Sequence, residues 1–183
     1  VPGCYPTASI LGLLPVIPYL QKNSKIILDA KSGISGAGKS SVENGLEEDI
    51  KENFKSYNVG FHRHQPEIKD FLKTEFNLDH EIIFIPHLLP LFRGEYVTLY
   101  CEVSQNDLDL NELYESYYEK HKLVRVKEKG EIAEIKEVIN TFYCDISVSY
   151  AFQSNTIVVN SAIDNLLKGA ASQAIQCLDI MSS

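Results

Sequence analysis

The first residue able to do covalent chemistry is Cys4, in the opening run Val1-Pro2-Gly3-Cys4-Tyr5-Pro6. Residues 5–20 read as a helix with Pro6 in the first turn, where a missing N–H costs nothing and the ring presets φ. Cys4 then sits at the helix N-terminal edge, where unpaired backbone N–H groups and the helix dipole favour a thiolate. The same N–H groups can hold an oxyanion when a carbonyl is attacked. A thiol buried only for packing is the competing use of the position.

A thiolate nucleophile needs a base, and His62-Arg63-His64-Gln65-Pro66-Glu67 offers two imidazoles and a carboxylate. With residues 57–62 extended, His62 and His64 point the same way. Glu67, at the start of a helix predicted over 66–76, is placed to orient one of them. Histidines exposed beside a proline turn are the plain alternative. H-R-H with a distant His87 lacks zinc spacing, and H-E-x-x-H is absent, so no metal is expected.

Gly33-Ile34-Ser35-Gly36-Ala37-Gly38-Lys39-Ser40 matches G-x-x-x-x-G-K-[ST] and follows a strand predicted over 25–30. Alone it would indicate a nucleotide hydrolase. However, no later strand ends in an acid placed to organise magnesium, and a run of backbone N–H groups suits other phosphates or carboxylates equally well. Arg93, in Pro86-His87-Leu88…Arg93-Gly94, can clamp a carboxylate with both ends of its fork. Its plain alternative is a surface ion pair.

The elements that must hold these groups alternate along the chain. Strands are predicted over 81–86, 96–103, 123–126, 142–152 and 156–162, the last two pairing across Ser154-Asn155, with a helix over 108–121 and a closing amphipathic helix from Asp164, its cap, to about 180. The pattern is that of an α+β domain with a mixed or antiparallel sheet. The 183 residues suffice for one domain. A net charge of −8, with no basic run interleaved with aromatics, argues against nucleic acid as a partner. The longest apolar stretch, 8–20, is broken by Pro15 and Pro18 and is too short for a membrane span. Cys4, Cys101, Cys144 and Cys177 form no C-x-x-C pair, as befits reduced thiols in a cytoplasmic protein.

Together these segments resemble the N-acetyl-gamma-glutamyl-phosphate reductases. The likeness is carried by VPGCYPTAS at 1–9, SGISGAGKS at 32–40, HRHQPEI at 62–68, the PHL…RG element at 86–94 and DNLLKGAASQA at 164–174. Val1, Lys39 and Ser172 depart from the residues common in that family, and none of them removes a catalytic group.

The resemblance implies a glyceraldehyde-3-phosphate-dehydrogenase-like catalytic domain over 1–183. Its closing helix, 164–181, would pack on a nucleotide-binding Rossmann half for which this chain shows no G-x-G-x-x-G, and the chain alone is expected to be inactive. Cys4 would be the nucleophile, His62 its base with His64 in reserve, and Glu67 the orienting acid. Ser32, Gly33, His64 and Arg93 would bind a small-molecule acyl phosphate, while Gly36, Gly38 and Asn165 would face NADPH, most of whose site lies on the other half. A homo-oligomer, dimer or tetramer, is implied as well. An aminoadipyl-phosphate reductase and a P-loop hydrolase are the alternative functions.

Overall fold

A computed structural model describes residues 1–37 and 45–182. Helix α1 spans Cys4–Leu13. It does not reach residue 20, because Pro15 and Pro18 remove N–H donors and the chain tightens into a 3₁₀ segment, Leu14–Tyr19. Strand β1, Lys25–Ser32, buries every second residue. A single turn α2, Glu47–Ile50, and a two-residue β2, Lys55–Ser56, follow. Residues 57–62 are not extended as expected: Asn58 and Gly60 take positive φ, 47° and 84°, and turn the chain into α3, His64–Phe76.

Strands β3, Glu81–Leu88, and β4, Glu95–Glu102, are next. Helix α4, Leu110–Tyr118, begins where the Asp109 side chain accepts from Glu112 N. Then come β5, Val124–Val126, the single turn α5, Ile135–Val138, β6, Cys144–Tyr150, and β7, Thr156–Ile163. One sheet holds all seven described strands in the order β2-β3-β1-β4-β7-β6-β5. Pairs β1/β3 and β5/β6 are parallel and the others antiparallel, which is the mixed α+β sheet expected.

Helix α1 lies on the sheet face formed by Leu28, Ala30, Leu99 and Val159, all buried. Gly12 permits the close approach, since a Cβ there would fall 2.8 Å from Leu99 Cδ1. The Tyr114 hydroxyl of α4 donates to Gly12 O at 2.6 Å, tying the two helices together. Cys101 and Cys144 belong to this core.

The end of the chain departs from the single amphipathic helix predicted. Asp164 does act as a cap, its Oδ1 accepting from Leu166 N and Leu167 N. The backbone then makes a π-helical segment, Leu167–Ala171, before α6, Ser172–Ser182. Helix α6 buries no residue; Ile175, Leu178, Ile180 and Met181 are exposed. Among the described residues no helix is long and apolar enough to cross a membrane.

Candidate active site

Cys4 is the first residue of α1, as its sequence implied, and it is half-buried. Gly3, just before it, is held from two sides. Its N–H donates to Glu67 Oε1 at 2.9 Å, and a Cβ at Gly3 would fall 2.5 Å from His64 Nε2. On the far side Gly169 packs directly on the cysteine: a Cβ there would lie 2.6 Å from Cys4 Cβ and 3.3 Å from Ile163 Cδ1. Only hydrogen in place of a side chain lets these segments meet.

The two histidines are adjacent, although a turn and a helix start place them, not a strand. Their ring centroids are 4.9 Å apart, and both rings stand edge-on to Tyr5. His62 Nδ1 accepts from His64 N at 3.2 Å, while its Nε2 lies 3.5 Å from the Tyr57 hydroxyl. His64 Nδ1 is buried without a partner. Burial, then the mutual charge of the pair and Arg63, lowers His62 to about 4; burial and Arg63 lower His64 to about 4. Both are therefore neutral at pH 7 and able to take a proton. The hydrogen bond Glu67 makes goes to Gly3, so this acid secures the helix start that carries the nucleophile.

The thiol itself is pushed above its ordinary value, by burial first and then by the neighbouring Glu95; the backbone N–H groups of Tyr5 and Cys4 pull the other way. Placement at a helix N-terminus does favour the thiolate, but here desolvation outweighs it.

The glycine-rich loop is only partly described, and Gly38 and Lys39 lie outside the described residues. Its first amides are spent within the fold: Gly33 N donates to Gly94 O, Ile34 N to Leu91 O, Ser35 N to Phe92 O and Gly36 N to Gly33 O. The first three staple the loop to the β3–β4 connection, so the amides of residues 33–36 are not free for a phosphate. Ser32 Oγ donates to Gly33 O and fills the space a Cβ at Gly36 would need. Asn165 is also committed, accepting from Gly94 N at 2.7 Å and donating to Ser35 Oγ at 3.0 Å. Arg93 meets Asn140 and, at 3.4 Å, the buried Asp164. Tyr57, His62, Arg63 and Gly36 line a cleft beside the imidazole pair. Among the described residues no group of His, Cys, Asp and Glu could hold a metal ion.

Two features of this site escaped the sequence reading. Glu95 opens β4 and is fully buried, its carboxyl group interacting with the Cys4 thiol and having no other hydrogen-bond partner. The strand was predicted to start at Tyr96, which left Glu95 in a loop; its alternation with Val97, Leu99 and Cys101 was the available signal. Gly169 read as an ordinary helical residue.

Comparison with known proteins places this geometry. The family model for the semialdehyde dehydrogenase dimerisation domain matches residues 4–165. The N-acetyl-gamma-glutamyl-phosphate reductases of Thermoanaerobacter sp. strain X514 and Halothermothrix orenii are 42% and 45% identical to the chain. Each alignment covers 98% of this chain and 53% of the relative, so the chain spans about half the length of these curated relatives. Aspartate semialdehyde dehydrogenase II from Vibrio cholerae shares the fold, with a TM-score of 0.78 at 16% identity over 99% of this chain and 61% of that one. A cysteine opening a helix on a mixed seven-stranded sheet, matched by that model over nearly all its length, shows that the chain belongs to the semialdehyde dehydrogenase dimerisation-domain family.

Proposed function

We propose that the chain supplies the nucleophile and proton-transfer groups of a reductase that converts N-acetyl-gamma-glutamyl phosphate to N-acetylglutamate semialdehyde, with NADPH as the hydride donor. The observation that carries this reading is Cys4 at the start of α1, with the His62–His64 pair on one side and Gly169 on the other. The names of the relatives support the substrate.

Cys4 Sγ attacks the acyl carbon, the C–O bond to phosphate breaks, and the acyl group is held as a thioester, which divides one hard reduction into two easier steps. The first-turn N–H groups of α1 face the oxygen that gains charge. Neutral His62 and His64 transfer protons to and from that oxygen. Ser32 and Gly33 shape the wall of the substrate site. Arg93 binds the substrate carboxylate, since a guanidinium has five donors and its contacts with Asn140 and Asp164 do not exhaust them.

Gly36 and Asn165, the described residues assigned to NADPH, are fixed in place by the fold. Asn165 spends both ends of its amide inside the fold, and a Cβ at Gly36 would meet Ser32 Oγ at 2.6 Å. NADPH is accordingly assigned to a separate nucleotide-binding domain, towards which the apolar exposed side of α6 would pack. The family's description as a dimerisation domain supports a homo-oligomer, and the free cysteines suit a reducing, cytoplasmic setting.

The test joins this chain to the nucleotide-binding half of the Halothermothrix relative. Phosphate-dependent oxidation of N-acetylglutamate semialdehyde with NADP should appear and be abolished by Cys4→Ser. Activity retained in that variant would remove Cys4 from the mechanism. A preference for the semialdehyde of aminoadipate would transfer the reading to the lysine-pathway substrate.

A further inference from the structure

A fully buried carboxyl group with no partner beyond a neighbouring thiol is costly, and native proteins rarely keep one without use. Glu95 is such a group. Its position relative to the nucleophile follows from the register. Glu95 lies on the same face of β4 as Leu99, and Leu99 packs under Gly12 of α1. Four residues back along β4 is about 13 Å, and eight residues back along α1 is about 12 Å. The strand and helix run in the same sense, so these equal steps bring Glu95 beneath Cys4. A second path agrees: Gly169 touches both Cys4 and Ile163, and Ile163 is the β7 residue paired with Glu95.

We propose that Glu95 is the acceptor of the Cys4 thiol proton, a catalytic role that leaves His62 and His64 to serve the substrate oxygen. The step rests on the thioester reading above. The S–H bond breaks and its proton passes to a Glu95 carboxylate oxygen. The sulfur electron pair forms the bond to the acyl carbon, and phosphate leaves with the electron pair of the broken C–O bond, to be protonated from solvent. Cys4 and Glu95 thus act as a pair that reacts when it holds one proton between them.

Burial, partly offset by Cys4, raises the Glu95 carboxyl to about 8. The pair is accordingly doubly protonated and unreactive at low pH, and gains its reactive form as the first proton leaves. The other titratable groups facing it are Tyr5 of α1, Tyr57 of the turn after β2, and Cys144 of β6. All are raised by burial and stay neutral through this range.

The experiment needs neither substrate nor cofactor, so it can fail independently of the reductase reading. The full chain is alkylated with iodoacetamide from pH 5 to 10, and modification of the Cys4 peptide is followed by mass spectrometry. The rate should rise with pH through a midpoint near 8 and level off above it. In Glu95→Gln the plateau should vanish, with the rate at pH 8 falling about a hundredfold. An unchanged pH profile, or faster alkylation in Glu95→Gln, would overturn the proposal.

If Glu95→Gln does not fold, the Glu95 carboxyl is titrated by carbon NMR in the native chain and in Cys4→Ala. A shift of more than one pH unit on removing the thiol is expected, and coincident curves would refute the pairing.

Discussion

Gly169→Ala is the most direct test of how the nucleophile is held. Gly169 has no positive φ, so alanine costs nothing in backbone strain. By helix propensity and unfolded-state entropy alone it would stabilise by up to about 1 kcal/mol. The opposing term is steric. The new Cβ would lie 2.6 Å from Cys4 Cβ and 3.2 Å from Cys4 Cα. Neither atom belongs to the mobile end of a side chain, so relief requires α1 or the π-helical segment to shift by about 1 Å, and overpacking of this kind costs about 1–3 kcal/mol. The steric term should win. For a domain of this size each kcal/mol moves Tm by about 2–4 °C, so a fall of a few degrees is expected by calorimetry. A displacement of about 1 Å at a reacting atom can cost about a hundredfold in rate, and alkylation of Cys4 by iodoacetamide reads that loss separately. A native or raised Tm with unchanged Cys4 reactivity would show that the contact is elastic and that Gly169 does not position the nucleophile.

Asp145→Asn should destabilise the chain by about 2–3 kcal/mol in urea unfolding. Asp145 is fully buried and accepts from Arg125 Nε at 2.6 Å and Nη2 at 2.8 Å, with Lys127 Nζ at 3.2 Å; because Arg125 is partly exposed, the loss should stay below that of a fully buried pair, and a change under 0.5 kcal/mol would contradict the reading. Stability should also follow the buried ionisable groups. Two histidines lowered from about 6.5 to about 4 leave the unfolded chain binding more protons between those values, so their contribution rises with pH from 4 to 6.5. Glu95, raised from about 4.5 to about 8, works in the opposite sense, its contribution falling as pH climbs through that range. Two rising limbs outweigh one falling limb up to pH 6.5, and the Glu95 limb alone then acts up to about pH 8. His62→Gln with His64→Gln should turn the rise between about 4.5 and 6.5 into a fall, and Glu95→Gln should steepen that rise and flatten the range from 6.5 to about 8, in denaturant midpoints measured across pH; unaltered slopes would count against both assignments.

Local rules carried much of the molecule in its sequence. Short apolar runs and apolar–polar alternation located β1, β3, β4, β6 and β7 to within a few residues, and Asp164 was legible as a cap because a short acidic side chain reaches the amides two and three residues on. Cys4 before Pro6, the HRHQPEI run and the glycine-rich loop were visible as chemistry because residue type and spacing express it directly. What the sequence could not convey depended on approach between segments far apart in the chain. Glu67 bonds Gly3 across 64 positions, Gly169 touches Cys4, and the loop amides that looked free for phosphate are spent on the β3–β4 connection. Those pairings follow from sheet order and helix seating, which no window of sequence contains. For the same reason Cys4 itself changed meaning: its helix position argued for an easily formed thiolate, whereas burial over the sheet and the carboxyl of Glu95 beneath it make that thiol hard to ionise and tie its reactivity to a second proton. Desolvation is a property of everything packed around a group, and only the tertiary structure decides it.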